Sequence, residues 1–231
     1  MANVGKLTLL HLNNSTSQRI LWLLEELGID YELKLHKRIH DRAPSELKET
    51  HPMGKAPQLI LADGRVLIES SCIAKYLIDT YDTENKFKGD GGRNDALRDQ
   101  MLSDFIASSM STNFIVGVLF LALASRTPFF VRPLVSGLWK AMRAGYWDDD
   151  VDKQLKFIEA ELEGQDYLMG ASPGRPDFLL TFVYDNFHQR RLIDASKYPV
   201  AKAWRERCEA RPAWKRSLEK GNGYDLSDFD G

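Results

Sequence analysis

The hydrophobic pattern of the opening part of the chain alternates between strand-like and helix-like periods. Residues 6–12 form a short apolar run that predicts a buried strand, and residues 31–35 alternate apolar and polar side chains as a half-buried strand does. Gly28 is placed to end a helix between them. The apolar face of that helix consists of Ile20, Leu23, Leu24 and Leu27. A strand, a helix and a strand in so short a segment predict a right-handed parallel unit.

A hairpin followed by another helix is predicted further along the chain. Residues 58–62 and 65–68 have the pattern of two strands joined by Asp63-Gly64, a dipeptide favoured in two-residue hairpin turns. Pro57 opens the first strand, where its missing N–H removes no bond that the sheet needs. Apolar residues at helical spacing begin at Ile73. Together with the parallel unit, the hairpin and its helix predict a thioredoxin-like α/β domain.

Glu69 and Ser70 lie where the second strand of the hairpin ends and the helix begins. The first amides of a helix lack internal partners and favour an anion, so a ligand carboxylate would suit Ser70. The ordinary alternative is that Ser70 or Ser71 caps its own helix. Glu69, a carboxylate at the end of an apolar strand, calls for a cationic partner. A ligand that carries both an ammonium group and a carboxylate would satisfy the pair.

Only helical patterns follow Tyr81. A long helix is predicted from residue 94 through the apolar run 114–124, before Pro128. The helix that begins near Pro176 should be the most buried, because apolar residues surround much of its circumference. The other predicted helices cover residues 134–146, a segment that starts at the acidic triplet 148–150, and the segments that contain Trp204 and Trp214.

The predicted organisation is therefore a thioredoxin-like domain over residues 1–82, a linker over 83–93 and an all-helical domain over 94–231. The linker is assigned because its residues are polar and include glycine. A pocket is expected between the N-terminal loop and the long helix around Phe105 to Phe114, whose aromatic and methionine side chains suggest an apolar small-molecule ligand, although the same residues would be core by default.

Composition excludes several classes of function. With 31 basic and 33 acidic residues, the chain has no polyelectrolyte character, and nothing in this balance calls for nucleic acid or an anionic membrane. Cys72 and Cys208 lie far apart, so neither a disulfide framework nor a metal site is indicated, and Cys72 is expected to be a small core residue. The longest unbroken apolar run, 114–124, falls short of the ~20 residues that span a bilayer. We expect a soluble cytoplasmic protein without a transmembrane segment.

The segment HPMGKAPQLI…LIESSCIAKYL resembles the glutathione-binding half of the glutathione S-transferases, whose pattern is approximately NP-x-G-x-V-P-x-L…ES-x-x-I-x-x-Y-L. The resemblance covers residues 7–81, and the order of helices through Trp204 is compatible with the family's helical domain. Residues 21–27 and 42–47 are most similar to a fungal branch that includes microsome-associated members. The resemblance implies glutathione as co-substrate, a homodimer, and peripheral contact with an intracellular membrane as an option for the apolar run.

For glutathione binding, the resemblance implies a cis bond between Ala56 and Pro57 that turns the Ala56 backbone toward the cysteinyl unit of the ligand. It also assigns Lys55 and Arg42 to the glycine carboxylate, whereas composition alone would make each a solvated surface cation. The Glu-Ser pair of the family corresponds to Glu69 and Ser70, and it is assigned to the other end of glutathione.

Activation of the thiol requires a hydrogen bond to the thiolate, because the thiolate is the nucleophile and a free thiol titrates near pH ~8.5. In serine-type members of the family the donor lies four residues before an arginine, which corresponds to Ser15 before Arg19. The sequence from Ser15 to Gln18 also matches a capping box of the form S-x-x-Q. In that case Ser15 caps the helix, and the residue that faces the sulfur is one of Asn13, Asn14 and Ser17.

Three functions are consistent with these residues. The first is conjugation of the glutathione thiolate to small apolar electrophiles, with Ser15 or Asn14 as the catalytic residue. The second is glutathione-dependent reduction of peroxides or disulfides in the same site, which is favoured if an asparagine contacts the sulfur. The third is a transferase-like binding or regulatory protein without turnover.

Overall fold

The computed structural model describes residues 6–40 and 42–227, which form a small α/β region followed by helices. The strands are β1 (Leu7–Leu12), β2 (Tyr31–His36), β3 (Gln58–Ile60) and β4 (Val66–Leu67). The helices of the α/β region are α1 (Ser17–Leu27), α2 (Leu47–Thr50) and α3 (Ser70–Tyr81).

The four strands form one mixed sheet in the order β2-β1-β3-β4. Strand β1 runs parallel to β2, with Leu7 opposite Tyr31 and Leu12 opposite His36. Strand β3 runs antiparallel to both β1 and β4. Every residue of β1 is buried, as its apolar composition predicted. The thioredoxin-like arrangement predicted from the sequence is therefore confirmed.

The turn between β3 and β4 is longer than predicted. The Leu61 N–H donates to the Arg65 carbonyl at 2.8 Å, and the Gly64 N–H donates back to the Leu61 carbonyl at 3.0 Å. The loop thus contains three residues, and Gly64 takes a φ of 83°, the left-handed conformation that ends such loops. The prediction of a two-residue turn at Asp63-Gly64 is therefore wrong, although glycine is needed at position 64 for its positive φ.

The helical region is built on two long runs joined by residues 127–131. The first run consists of α4 (Ala96–Asp104), a π-helical segment (Phe105–Met110) and α5 (Ser111–Arg126). The second consists of α6 (Arg132–Met142), a π-helical segment (Arg143–Trp147) and α7 (Asp148–Leu162). The remaining α-helices are α8 (Arg175–Gln189), α9 (Pro199–Ala210) and α10 (Pro212–Lys220). The all-helical character of this region was predicted correctly.

The acidic triplet 148–150 forms the first turn of α7, as predicted, although α7 continues from the preceding π-helical segment without a break. Its carboxylates also bind neighbouring side chains. Asp148 accepts from Arg143 Nε at 2.7 Å, and Asp150 accepts from the Asn113 amide of α5 at 2.6 Å. The Asp150 contact joins the two long runs, whereas the Asp148 contact lies within the second run.

Helix α8 is the most enclosed helix of the region, as predicted, with residues 175–187 all buried. Asp177 lies in its first turn. It accepts hydrogen bonds from the Gly174 N–H (2.8 Å), the Leu168 N–H (2.9 Å) and Trp204 Nε1 (2.7 Å). Burial raises the pKa of Asp177 to about 6, and the three donors oppose that shift. One carboxylate therefore connects the start of α8 to the loop before it and to α9.

Helix α1 joins the two regions. Residues 17–25 are all buried, although only one side of the helix faces the sheet. Trp22 packs against Phe178 of α8 and Trp214 of α10, with ring centroids 4.4 and 5.5 Å apart. Glu25 accepts from Arg216 Nε of α10 at 3.0 Å. The helical region thus covers the side of α1 that the sheet leaves open.

Replacing Asp177 with alanine should lower the free energy of unfolding by about 3–5 kcal/mol, because three buried N–H donors lose their acceptor and each costs ~1–3 kcal/mol. Urea denaturation measures the loss. Asp194→Ala is the matched control, since Asp194 caps Ser196 in an exposed turn. Equal losses in the two variants would contradict the structural role of Asp177.

Candidate active site

The segment before β3 has the backbone shape that the resemblance implies. The Ala56–Pro57 peptide bond is cis, and Pro57 is buried. Gln58, which is fully buried, fixes this segment, because its Nε2 donates to the Lys55 carbonyl and to the Leu47 carbonyl of α2, both at 2.9 Å. The Ala56–Pro57 segment, called the clamp below, is therefore fixed to α2 by the Gln58 side chain, which the sequence analysis did not single out.

Glu69 occupies the position before the first residue of α3 with an unusual backbone. Its φ is 65° and its ψ is 110°, which is rare for a residue other than glycine and is found most often at ligand sites. Ser70 is the first residue of α3, and the helix has no side-chain cap at Glu69. The capping alternative for Ser70 and Ser71 finds no support in the hydrogen bonds of the described residues. Glu69 is exposed, while Ser70 is half-buried at the helix start.

The loop between β1 and α1, residues 12–17, is called the catalytic loop below. Two serine hydroxyls within it share one backbone carbonyl. Ser15 Oγ lies 2.7 Å from both the Leu12 carbonyl oxygen and Ser17 Oγ. Ser17 Oγ in turn accepts from the Leu12 N–H and lies within donating distance of the Leu12 carbonyl, both at 3.0 Å. Ser17 alone is able to satisfy both backbone groups of Leu12.

The capping box proposed for Ser15 and Gln18 does not form. Ser15 Oγ accepts from the Ser17 N–H at 3.2 Å, one residue short of the position a capping box requires. The Gln18 side chain turns away from the loop and donates to Ser217 Oγ of α10 at 2.8 Å. Gln18 is therefore used for contact between the two regions, which a local sequence pattern does not reveal.

Thr16 brings the catalytic loop to the clamp. Its hydroxyl lies 3.3 Å from the carbonyl oxygen of Ala56, forty positions further along the chain. The sequence analysis assigned no role to Thr16, because only the fold places the loop beside the Ala56–Pro57 bond. This contact brings Ser15 and Asn14 into the same site as Ala56.

Asn14 has a left-handed backbone with φ of 49° and is bound by distant parts of the chain. Its Oδ1 accepts from the Asp225 N–H at 2.8 Å, and its own N–H donates to the Gly223 carbonyl at 3.4 Å. Arg38 Nη2 donates to the Asn14 carbonyl at 3.2 Å. Asn14 is therefore held by the C-terminal segment and by Arg38.

The two predicted cations lie at the outside of the site. Lys55 is exposed directly before the cis bond. Arg42 is also exposed and exchanges two backbone hydrogen bonds with Ile39, at 2.9 and 3.0 Å. Lys55 is thus adjacent to the clamp in sequence, whereas Arg42 lies on a separate turn.

A buried cation stands behind the site. Arg19 is enclosed, its Nη1 donates to the Leu179 carbonyl at 3.1 Å, and its guanidinium lies 5.4 Å from the centre of the Phe182 ring. Burial lowers the pKa of Arg19 to about 10, and the nearby Tyr224 and Glu69 oppose this. Arginine remains charged at neutral pH, so Arg19 supplies positive charge beneath the junction of the loop and α3.

Cys72 is exposed, so the expectation of a core position is wrong. It is the third residue of α3, and the buried face of that helix begins one residue later at Ile73. Cys208 is buried, and burial raises its thiol pKa well above the usual range. Across residues 6–40 and 42–227, no cluster of three or more side chains is arranged to hold a metal ion.

The two serines of the catalytic loop should differ in their effect on stability. Ser17→Ala should lower the free energy of unfolding by about 1–3 kcal/mol, because the buried Leu12 N–H loses its acceptor. Ser15→Ala should cost less, about 1 kcal/mol, because it removes only the longer 3.2 Å bond from the Ser17 N–H, while Ser17 still bonds the Leu12 carbonyl. Urea denaturation of both variants measures the difference. A larger loss for Ser15→Ala would contradict this division of roles.

Comparison with known proteins gives the same family from sequence and from structure. The model of the glutathione S-transferase N-terminal domain matches residues 15–80, and that of the C-terminal domain matches residues 145–212. Glutathione S-transferase 3 of Schizosaccharomyces pombe is 29% identical over 219 residues, which cover 95% of this chain and 89% of that protein.

Solved structures agree with that result. A glutathione S-transferase from Actinobacillus pleuropneumoniae is 32% identical with a TM-score of 0.75, and the match covers 97% of each chain. A glutathione transferase homologue from Lodderomyces elongisporus, solved with two GSH per subunit, has a TM-score of 0.72 at 20% identity and covers 94% of this chain and 99% of that one, a likeness of fold. The chain belongs to the glutathione S-transferase family.

Proposed function

We propose that the protein binds glutathione between the Ala56–Pro57 clamp and the start of α3, and transfers its thiolate to small apolar electrophiles. The observation that carries the proposal is the contact of Thr16 with the Ala56 carbonyl. It sets the catalytic loop beside the backbone that would hold the cysteinyl unit. Detoxification of such electrophiles is the role that this activity would serve.

In this proposal, the two ends of glutathione are bound by different elements. Glu69 takes the ammonium group of the γ-glutamyl unit, and Ser70 with the free amides of α3 takes its carboxylate. The Ala56 backbone pairs with the cysteinyl unit as an added strand would. Lys55 and Arg42, which lies on a separate turn, neutralise the glycine carboxylate.

Ser15 is proposed as the donor to the thiolate. The Ser17 hydroxyl is able to satisfy both backbone groups of Leu12, so the proton of Ser15 is not needed to hold the loop. Ser15 Oγ accepts a hydrogen bond from the Ser17 N–H. This bond polarises the Ser15 hydroxyl and strengthens it as a donor. A thiol pKa lowered by roughly two units corresponds to about 2.7 kcal/mol, within reach of one or two charge-assisted bonds.

A second candidate function is reduction of peroxides or disulfides with glutathione, with Asn14 as the donor to sulfur. One observation favours it: Ser15 is only 4% exposed, and both of its neighbours at 2.7 Å lie within the loop. The two candidates therefore differ in which side chain stabilises the thiolate.

The electrophile is proposed to bind along α5 and α8. Phe114 and Phe182 form an edge-to-face pair with ring centroids 5.8 Å apart, and Phe182 lies against Arg19 at the base of α1. This aromatic pair joins α5 to α8 beside Arg19 of α1. An apolar co-substrate fits against such a pair, because its burial there removes apolar surface from water.

The homodimer that the family implies belongs to the same proposal. Leu97 and Met101 lie one turn apart on α4 and are 77% and 48% exposed. Large apolar side chains grouped on one helix face are typical of a surface that another protein covers. A second subunit is the partner that we propose for this face.

Titration of bound glutathione by ultraviolet absorbance tests the function. The wild-type protein should hold the thiol roughly two units below ~8.5, and Ser15→Ala should return it toward that value while binding persists. Asn14→Ala is the comparison variant. If Asn14→Ala raises the thiol pKa and Ser15→Ala does not, the reductase candidate is favoured. An ordinary thiol pKa in the wild type would identify a glutathione-binding protein without thiol activation.

We also propose that residues 127–131, which join the two long helical runs, contact an anionic membrane surface. Phe129 and Phe130 are 80% and 72% exposed there. Residues 105–147 contain no acidic residue, and their four cations are Arg126, Arg132, Lys140 and Arg143. The run Ala96–Arg126 is long and apolar enough to cross a membrane by length and composition alone, with 28% of its most apolar window buried. Exposed aromatic side chains with a basic surround are typical of interfacial binding.

Replacing both Phe129 and Phe130 with serine should lower binding to vesicles that contain phosphatidylserine by about tenfold or more, because burial of one phenylalanine stabilises by ~1.5–3 kcal/mol. Co-sedimentation measures the bound fraction. Met53→Ser, at an exposed position of the α/β region, is the control. Equal sedimentation of the wild type and the double variant would contradict membrane contact through these residues.

A further inference from the structure

The described chain continues beyond the end of α10. Residues 221–227, here called the C-terminal strap, continue from α10 and pass over the catalytic loop. The strap begins in tight contact with the α/β region. A Cβ atom on Gly221 would lie 3.0 Å from the Ser217 carbonyl, 3.3 Å from Gln18 Oε1 and 3.5 Å from His11 Nε2. Only glycine fits this start without displacing its neighbours.

Three further contacts anchor the strap on both regions. The Asn222 amide donates to the His36 carbonyl at the end of β2 at 2.7 Å. On the helical side, the Tyr224 hydroxyl donates to Asp185 of α8 at 2.7 Å, and the Leu226 N–H donates to Gln189 Oε1 at 2.8 Å. The strap therefore bridges the sheet and α8 across the opening of the catalytic loop.

The anchor at Tyr224 is supported from beneath. Asp185 also receives two hydrogen bonds from Arg205, at 2.7 and 2.8 Å, and both of these side chains are buried. The Tyr224 ring packs edge-to-face against Trp214 of α10, with centroids 5.6 Å apart. Leu226 is 1% exposed. These contacts fix the strap independently of the catalytic loop.

Between these anchors, two main-chain groups of the strap bind one residue. The Gly223 carbonyl accepts the Asn14 N–H, and the Asp225 N–H donates to Asn14 Oδ1. Gly223 and Asp225 are both exposed, so water could satisfy their main-chain groups without Asn14. Asn14, in contrast, holds a left-handed conformation that is uncommon outside glycine. The contacts therefore stabilise the loop more than they stabilise the strap.

We propose that the C-terminal strap is a positioning element of the active site: Gly223 and Asp225 hold Asn14, and through Asn14 they orient the Ser15 hydroxyl that follows it. The inference rests on the proposed function in taking thiol activation as the chemistry of this loop. It adds a requirement for a segment more than 200 positions away from the residue it positions. The groups that act are main-chain groups, so a sequence motif in the strap would not identify them.

A pair of proline variants separates this role from general anchoring. Asp225→Pro removes the N–H that binds Asn14. Ser227→Pro is the matched control, because the Ser227 N–H binds only the Asp225 carboxylate within the strap. Near-ultraviolet circular dichroism of Trp214, which touches Tyr224, reports whether the strap stays docked in each variant.

In Asp225→Pro, kcat for conjugation should fall roughly 3- to 10-fold, as expected when a positioned group loses one hydrogen bond. The pKa of bound glutathione should rise, while KM for glutathione should stay within about twofold. Amide hydrogen exchange at residues 13–17 should become faster. Ser227→Pro should retain wild-type values in all four measurements. A chain ended after Gly221 should show at least the losses of Asp225→Pro.

Two outcomes would overturn the inference. The first is an Asp225→Pro protein with a docked strap, faster exchange at Asn14, and unchanged kcat and thiol pKa. The second is an equal fall in kcat for both proline variants, which would make the strap a general stabiliser. A wild-type protein that binds glutathione with an ordinary thiol pKa would instead count against the proposed function, and hydrogen exchange would still decide whether the strap orders the loop.

Discussion

The burial of α1 on all sides is the constraint on which the rest of the structure depends. A helix enclosed in this way traps polar side chains inside the protein, and each of them must find a partner or cost several kcal/mol. Gln18, Arg19 and Glu25 find their partners in the helical region, at Ser217, the Leu179 carbonyl and Arg216. Glu25 also accepts from the Tyr31 hydroxyl of β2, but the partners given for Gln18 and Arg19 lie in the helical region, so these two side chains require that region to dock against α1.

This requirement explains why the catalytic loop is ordered at both ends. Its N-terminal end continues β1, the central strand of the sheet. Its C-terminal end is the start of α1, which the helical region encloses. Between these ends, Ser17 bonds Leu12 across the loop, and Thr16 meets the clamp at Ala56. A short polar loop thus acquires a defined shape because rigid elements fix its two ends.

The sequence predicted those features that depend on local pattern. The apolar run of β1, the helix ended by Gly28 and the enclosed α8 follow from periodicity and from turn chemistry, which neighbouring residues determine. The predicted length of the hairpin loop at Gly64 was wrong, because glycine is favoured in both two-residue and three-residue loops. The triplet 148–150 marked the start of α7 correctly, but local pattern did not reveal that α7 continues from the π-helical segment before it.

The candidate site shows the same limit. The residues proposed to bind glutathione lie in one continuous motif from Lys55 to Ser70, apart from Arg42, so the resemblance was able to propose them. Thr16, Gln58 and the strap were missed because their contacts join residues far apart in the chain. Cys72 was placed in the core because it adjoins core residues, although successive residues of a helix point in different directions.

The arrangement of the two serines suggests how the loop reconciles stability with chemistry. A group that stabilises a thiolate must be held in place, yet its proton must remain available for the ligand. Ser17 meets the first demand by bonding the Leu12 N–H and carbonyl, so the fold does not rely on the Ser15 proton. In the proposal above, the strap positions Ser15 from its other side, because it fixes Asn14, the residue before Ser15. Positioning and proton donation can therefore be assigned to different residues, and the donor is free to respond to the sulfur.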